Sequence, residues 1–79
     1  MLIEILGTGC PKCRQLTKNA EEAVKAAVVE AQIIKVQDIK AIMSRGVMMT
    51  PALAIDGQVV AAGKILSPEE IRQEIVRRS

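Results

Sequence analysis

Gly7-Thr8-Gly9-Cys10-Pro11-Lys12-Cys13 is the stretch on which the reading of this chain turns. Cys10 and Cys13 are its only two cysteines. Gly7-Thr8-Gly9 reads as the turn that closes a strand. Pro11 fits the first helical position, where its missing N–H is no loss. The pair therefore stands at the N-terminus of a helix, with Cys10 exposed beyond the helix end and Cys13 one turn behind it. That placement suits thiol–disulfide exchange. A purely structural bridge is a poorer use of the pair. For a closed loop of about four residues, chain entropy supplies roughly 2 kcal/mol. Short stiff loops deviate from that formula, and a wider bridge would stabilise more.

Outward from the motif the elements alternate. Leu2 to Leu6 is a short, mostly apolar run bounded by glycine, which predicts a strand buried on both faces. After the motif, Leu16, Ala20, Ala23, Val24, Ala27 and Val28 recur at spacings of three and four, and Cys13 extends this stripe backwards. Gln32 to Val36 is the second strand, and strand, long helix and strand make a right-handed unit with parallel strands. Asp38 can cap a short helix carrying Ile39, Ile42 and Met43, ended by Gly46. Pro51 opens a third strand, Ala52 to Ile55. Asp56-Gly57 is a hairpin turn and Gln58 to Ala62 the return strand. Ser67-Pro68-Glu69-Glu70 starts the last helix with a capping box, and Ile71, Ile75 and Val76 form its apolar stripe. The predicted order is β-α-β-α-β-β-α.

Composition narrows the function classes. Seventy-nine residues suffice for one small domain, expected to span 1–79. No aromatic residue is present, so the core must be built from Ile, Val, Leu, Ala and Met. A net charge of +2 argues against nucleic acid or an anionic membrane as partner. No stretch approaches the ~18 apolar residues of a spanning helix, and no basic segment precedes a long apolar run. The expectation is a cytoplasmic monomer in a reducing compartment. There a lone cysteine pair is more often catalytic or metal-binding than structural.

The residues Gly7 to Cys13, Thr50-Pro51-Ala52-Leu53-Ala54-Ile55-Asp56-Gly57 and the Ser67-Pro68-Glu69-Glu70 helix start resemble the small prokaryotic thioredoxin-like, or redox-active disulfide, protein family. The similarity covers nearly the whole chain. It implies an α/β minimal thioredoxin-like fold, a four-stranded mixed sheet with three helices. The implied sheet order is 2-1-3-4, with strand 3 antiparallel to strand 1. It also implies that Cys10 is the attacking thiol and Cys13 the resolving thiol. Pro51 would follow a cis peptide bond and face the cysteines, and the backbone of Thr50 would pair with an extended substrate segment. The implied partners are protein disulfide substrates and an unidentified reductase, with no cofactor and no metal. Two departures stand out. Thioredoxins carry Trp before the motif and Gly-Pro inside it, where this chain has Gly9 and Pro11-Lys12. Glutaredoxins often have Tyr in place of Lys12 and Gly-Gly in place of Ala62-Gly63, which weakens a claim of efficient glutathione binding.

Thiolates attack disulfides and thiols scarcely do. A helix N-terminus stabilises an anion by about 0.3–1 kcal/mol, and up to ~2 when partly buried. Lys12, if about 6 Å away in water, adds roughly 0.7 kcal/mol. Since one pKa unit is about 1.4 kcal/mol, the two together bring Cys10 towards ambient pH, with the helix end as the larger effect. Lys12 and Pro11 are thus modulating residues. Glu4, six residues before Cys10, matches a buried carboxylate that relays a proton to the second thiol in some thioredoxins. Strand alternation places it with Leu2 and Leu6 on a helix-covered face. An exposed carboxylate is the plainer expectation for Glu4, as an ordinary strand-start proline is for Pro51. Met48 and Met49 are core or loop fillers, or they flank a substrate groove. Two other functions remain open at this point. One is a Cu(I) carrier holding the metal on the same two thiolates, although such domains end in a strand. The other is a non-catalytic adaptor that binds partners along the Thr50–Ile55 edge.

Overall fold

β1 (Leu2–Leu6) is the strand on which the other elements are assembled, since it pairs along both of its edges. The computed structural model describes residues 1–9 and 11–78. After β1 come α1 (Pro11–Ala27), β2 (Gln32–Val36), α2 (Ile39–Ser44), β3 (Ala52–Ile55), β4 (Gln58–Ala62) and α3 (Pro68–Arg78). The sheet runs β2-β1-β3-β4. β2 lies parallel to β1 with Lys35 opposite Ile5, whereas β3 is antiparallel to β1 with Ala52 opposite Leu6. β4 returns antiparallel to β3. This is the predicted element order and the four-stranded mixed sheet with three helices. The C-terminal segment is a helix, not the strand that the metal-carrier fold requires.

The period of two along the strands divides the core between the two faces of the sheet. On one face, Ile3 and Ile5 of β1 and Leu53 and Ile55 of β3 pack with Leu16 and Ala20 of α1 and Ile71 and Ile75 of α3. Each fully buried Ile or Leu contributes about 1.5–3 kcal/mol relative to exposure. This layer therefore outweighs the opposite one, where Leu6, Ala52 and Ala54 meet Ile42 of α2 and Val47. Without aromatic side chains, small residues close the helix–sheet gap, and Ala20 and Ala23 are fully buried.

The ends of the elements follow their local chemistry. Asp38 caps α2 by accepting from the Lys40 N–H at 3.1 Å. The Ser67 hydroxyl accepts from the Glu70 N–H, and the Glu70 carboxylate accepts from the Ser67 N–H, both at 3.2 Å, which completes the capping box of α3. Asp56 and Gly57 both have positive φ, 49° and 85°, the conformation of a two-residue hairpin turn. Asp56 also fastens the start of β1, since its Oδ1 accepts from the Leu2 N–H at 2.8 Å. Buried Asn19 donates to the Leu66 carbonyl at 2.9 Å, tying α1 to the segment that leads into α3.

Four apolar positions depart from their expected stripes. α1 stops at Ala27, and Val28 turns out of the helix with φ 52° and is 88% exposed. In α2 only Ile42 is buried, leaving Ile39 and Met43 on the surface, because one short helix covers little more than a single side chain's width of sheet. Val76 of α3 is also exposed, since α3 presents Ile71 and Ile75 to the core.

Candidate active site

Cys13 is the third residue of α1 and is only 5% exposed. It is held inward because it continues the face of Leu16 and Ala20, as the spacing predicts. The Thr17 hydroxyl donates to the Cys13 carbonyl at 2.9 Å, one turn along, so the first turn is reinforced where the thiol sits. Cys10, the attacking thiol of the sequence reading, lies outside the described residues. Pro11 opens α1, and Lys12 stands exposed in its first turn.

Gly7 brings the rest of the site to Cys13. A Cβ built on Gly7 would lie 2.3 Å from the Cys13 Sγ and 3.9 Å from the Pro51 Cα. The end of β1 thus passes between the buried sulfur and the start of β3 with no room for a side chain. Pro51 is fully buried and the Thr50–Pro51 peptide bond is cis. The Pro51 carbonyl accepts from the Gly63 N–H at 2.9 Å, which anchors this corner to the end of β4. Thr50 itself is exposed.

Two recesses flank this corner. A cavity of about 150 Å³ adjoins Cys13 and is lined on its polar side by Arg14, Thr17, Lys35 and Gln37. On the other side of the sheet, an open and mainly apolar groove of about 660 Å³ runs from Thr8 and Thr50 along Ile39, Met43, Val47 and Met48.

Glu4 is 5% exposed and lies on the face covered by α2. Both of its carboxylate oxygens are engaged by Arg45, Nη1 at 2.6 Å and Nη2 at 2.7 Å. The hydrogen bond and charge of Glu4 raise the Arg45 guanidinium above its ordinary pKa. The structure thus pairs Glu4 with Arg45 and shows no contact between its carboxylate and Cys13. Cys13 lies with Ile5 and Gly7 on the opposite face of β1, and the carboxylate is committed to an ion pair 41 residues away in sequence. Nor is Glu4 the exposed carboxylate of the plainer expectation.

Sequence reasoning missed Arg45, Thr17, Asn19 and the contact role of Gly7. The i, i+4 spacing of Cys13 and Thr17 was a usable signal, because a threonine can return a hydrogen bond to the preceding turn. Arg45 offered none.

Among the described residues, no group of three or more His, Cys, Asp or Glu is arranged to hold a metal ion, and no helix is long and apolar enough to cross a membrane. Residues 1–76 match the family described as the thioredoxin domain. A thioredoxin of Methanocaldococcus jannaschii is 44% identical over 75 residues, covering 95% of this chain and 86% of that protein. A thioredoxin of Methanothermobacter thermautotrophicus is 41% identical over 73 residues, covering 92% of this chain and 95% of that protein.

Proposed function

Because this chain belongs to the thioredoxin domain family, we propose that it is a thiol–disulfide oxidoreductase that reduces protein disulfides through Cys10 and Cys13. The observation that carries this reading is the placement of Cys13. Its sulfur is buried in the first turn of α1, against Gly7 and beside Pro51, three residues after Cys10 in sequence.

The Cys10 thiolate attacks one sulfur of a substrate disulfide, and the other sulfur leaves as a thiolate that takes up a proton. Cys13 then loses its proton and attacks the Cys10 sulfur, releasing the second substrate sulfur. The substrate gains two electrons and the chain is left with a Cys10–Cys13 disulfide, which a dithiol reductase returns to the reduced form. The positive end of the α1 dipole favours the Cys10 thiolate, and Lys12 adds a smaller, solvent-screened attraction. Cys13 is shielded until the mixed disulfide forms, so it resolves and does not initiate. Thr50 offers its backbone to an extended substrate segment beside Pro51. The working compartment is a reducing one, the cytoplasm.

The test is thiol alkylation across pH in the Cys10→Ser and Cys13→Ser variants, with trapping of a protein disulfide. Cys10 should react faster at pH 6 and should alone hold a stable mixed disulfide when Cys13 is replaced. Equal rates for the two thiols, or trapping on Cys13, would sink the assignment.

A further inference from the structure

Met43, Met48 and Met49 are 68%, 96% and 63% exposed, and they fall within one seven-residue stretch beside Thr50. The remaining methionine, Met1, packs partly buried against the larger core layer. Met43 and Met48 line the apolar groove, which Thr8 and Thr50 connect to the thiol corner. Met49 leans the other way, and a Cβ built on Gly63 would lie 3.0 Å from both its Cβ and its Cε. Its side chain therefore covers the backbone whose N–H binds the Pro51 carbonyl. None of the three belongs to either core layer.

We infer that Met43, Met48 and Met49 form an oxidation site, at which peroxide converts the thioethers to sulfoxides, and that oxidation of the two lining the groove, Met43 and Met48, closes it to protein substrates. This rests on the proposed function. The occupant of the groove is the extended apolar segment of a substrate protein next to its disulfide, because two residues that line the groove, Thr8 and Thr50, are the chain neighbours of Gly7 and Pro51 at the thiol corner. In the modification, a hydroperoxide transfers one oxygen atom to the thioether sulfur. The sulfur loses two electrons, the O–O bond breaks, and water or an alcohol leaves. An unbranched thioether adapts to varied apolar partners. A sulfoxide is polar, and burying it under a partner without a hydrogen bond is unfavourable. Exposure sets the order of attack, and since the three side chains lie outside the core, oxidation leaves the fold intact.

The experiment uses the full chain with both thiols reversibly blocked as methylthio disulfides. It is treated with hydrogen peroxide, cleared of peroxide, unblocked with dithiothreitol and mapped by peptide mass. Met48 should oxidise first, Met43 and Met49 next, and Met1 last. The treated protein should reduce insulin about five-fold or more slowly. Its rate with hydroxyethyl disulfide, which is too small to use the groove, should hold. A Met43→Leu/Met48→Leu/Met49→Leu variant should reduce insulin at the same rate before and after peroxide, and Met48→Gln should reproduce part of the loss. Oxidation of Met1 as fast as Met48, an unchanged insulin rate, or equal losses with both disulfides would overturn the inference. Failure of the proposed function looks different, because the untreated chain would then reduce neither disulfide.

Discussion

Gly7 sits so close to Cys13 that even a methyl group has no place between them: its Cβ would fall 2.3 Å from the sulfur. The neighbour is a short side chain in the first turn of α1, with little freedom to retreat. Gly7→Ala should therefore destabilise the protein by about 1–3 kcal/mol, as overpacking does in well-packed interiors. Combining it with Cys13→Ala should recover much of that loss, because the clash needs both groups. A double-mutant cycle from urea midpoints checks the pair, and additive costs would place the strain elsewhere.

The Glu4–Arg45 pair makes a different prediction for each partner. Arg45→Ala leaves a buried carboxylate without its guanidinium, and the expected cost is about 1–3 kcal/mol, below that of a fully buried pair because Arg45 is partly solvated. Glu4→Gln keeps the shape and one acceptor, so it should cost less. Neither substitution should move the pH dependence of Cys13 alkylation, measured in the Cys10→Ser background. A displaced profile in Glu4→Gln would support a proton-relay role for this carboxylate.

Asn19 is the polar link between α1 and the approach to α3. Asn19→Ala strips the Leu66 carbonyl of its donor in a buried setting, at an expected cost of about 1–3 kcal/mol. Faster amide exchange should appear first around Leu66 and the start of α3. Uniform loss of protection across the sheet would argue that the link is not local.

Acid should weaken α3 through its first turn. The Glu70 carboxyl is held below its ordinary pKa chiefly by the Ser67 backbone N–H, and that of Glu69 by its hydrogen bond to Arg72. A carboxylate whose folded pKa is depressed adds stability above its unfolded pKa and loses it as pH falls through the folded value. Stability should thus decline below about pH 4.5, the ordinary value for these groups. Glu70→Gln should flatten this acid limb in urea titrations at several pH values. Ser67→Ala should cost about 1 kcal/mol at neutral pH, the usual effect of losing an N-cap.

The sequence by itself determined the element order, the two capped helix starts at Asp38 and Ser67, the Asp56-Gly57 hairpin and the inward direction of Cys13. These are local matters. They depend on hydrogen bonds and spacings spanning a few residues, so side-chain type at a given offset is enough to read them. Tertiary structure alone decided the partner of Glu4, the closeness of Gly7 to Cys13, the Asn19–Leu66 link and the exposure of Ile39 and Met43. Each depends on how segments far apart in the chain are brought together. A bidentate pair between residues 4 and 45 leaves no mark on either local pattern. Whether an apolar helix position is buried depends on how much sheet lies beneath it, and beneath α2 there is only enough to cover Ile42.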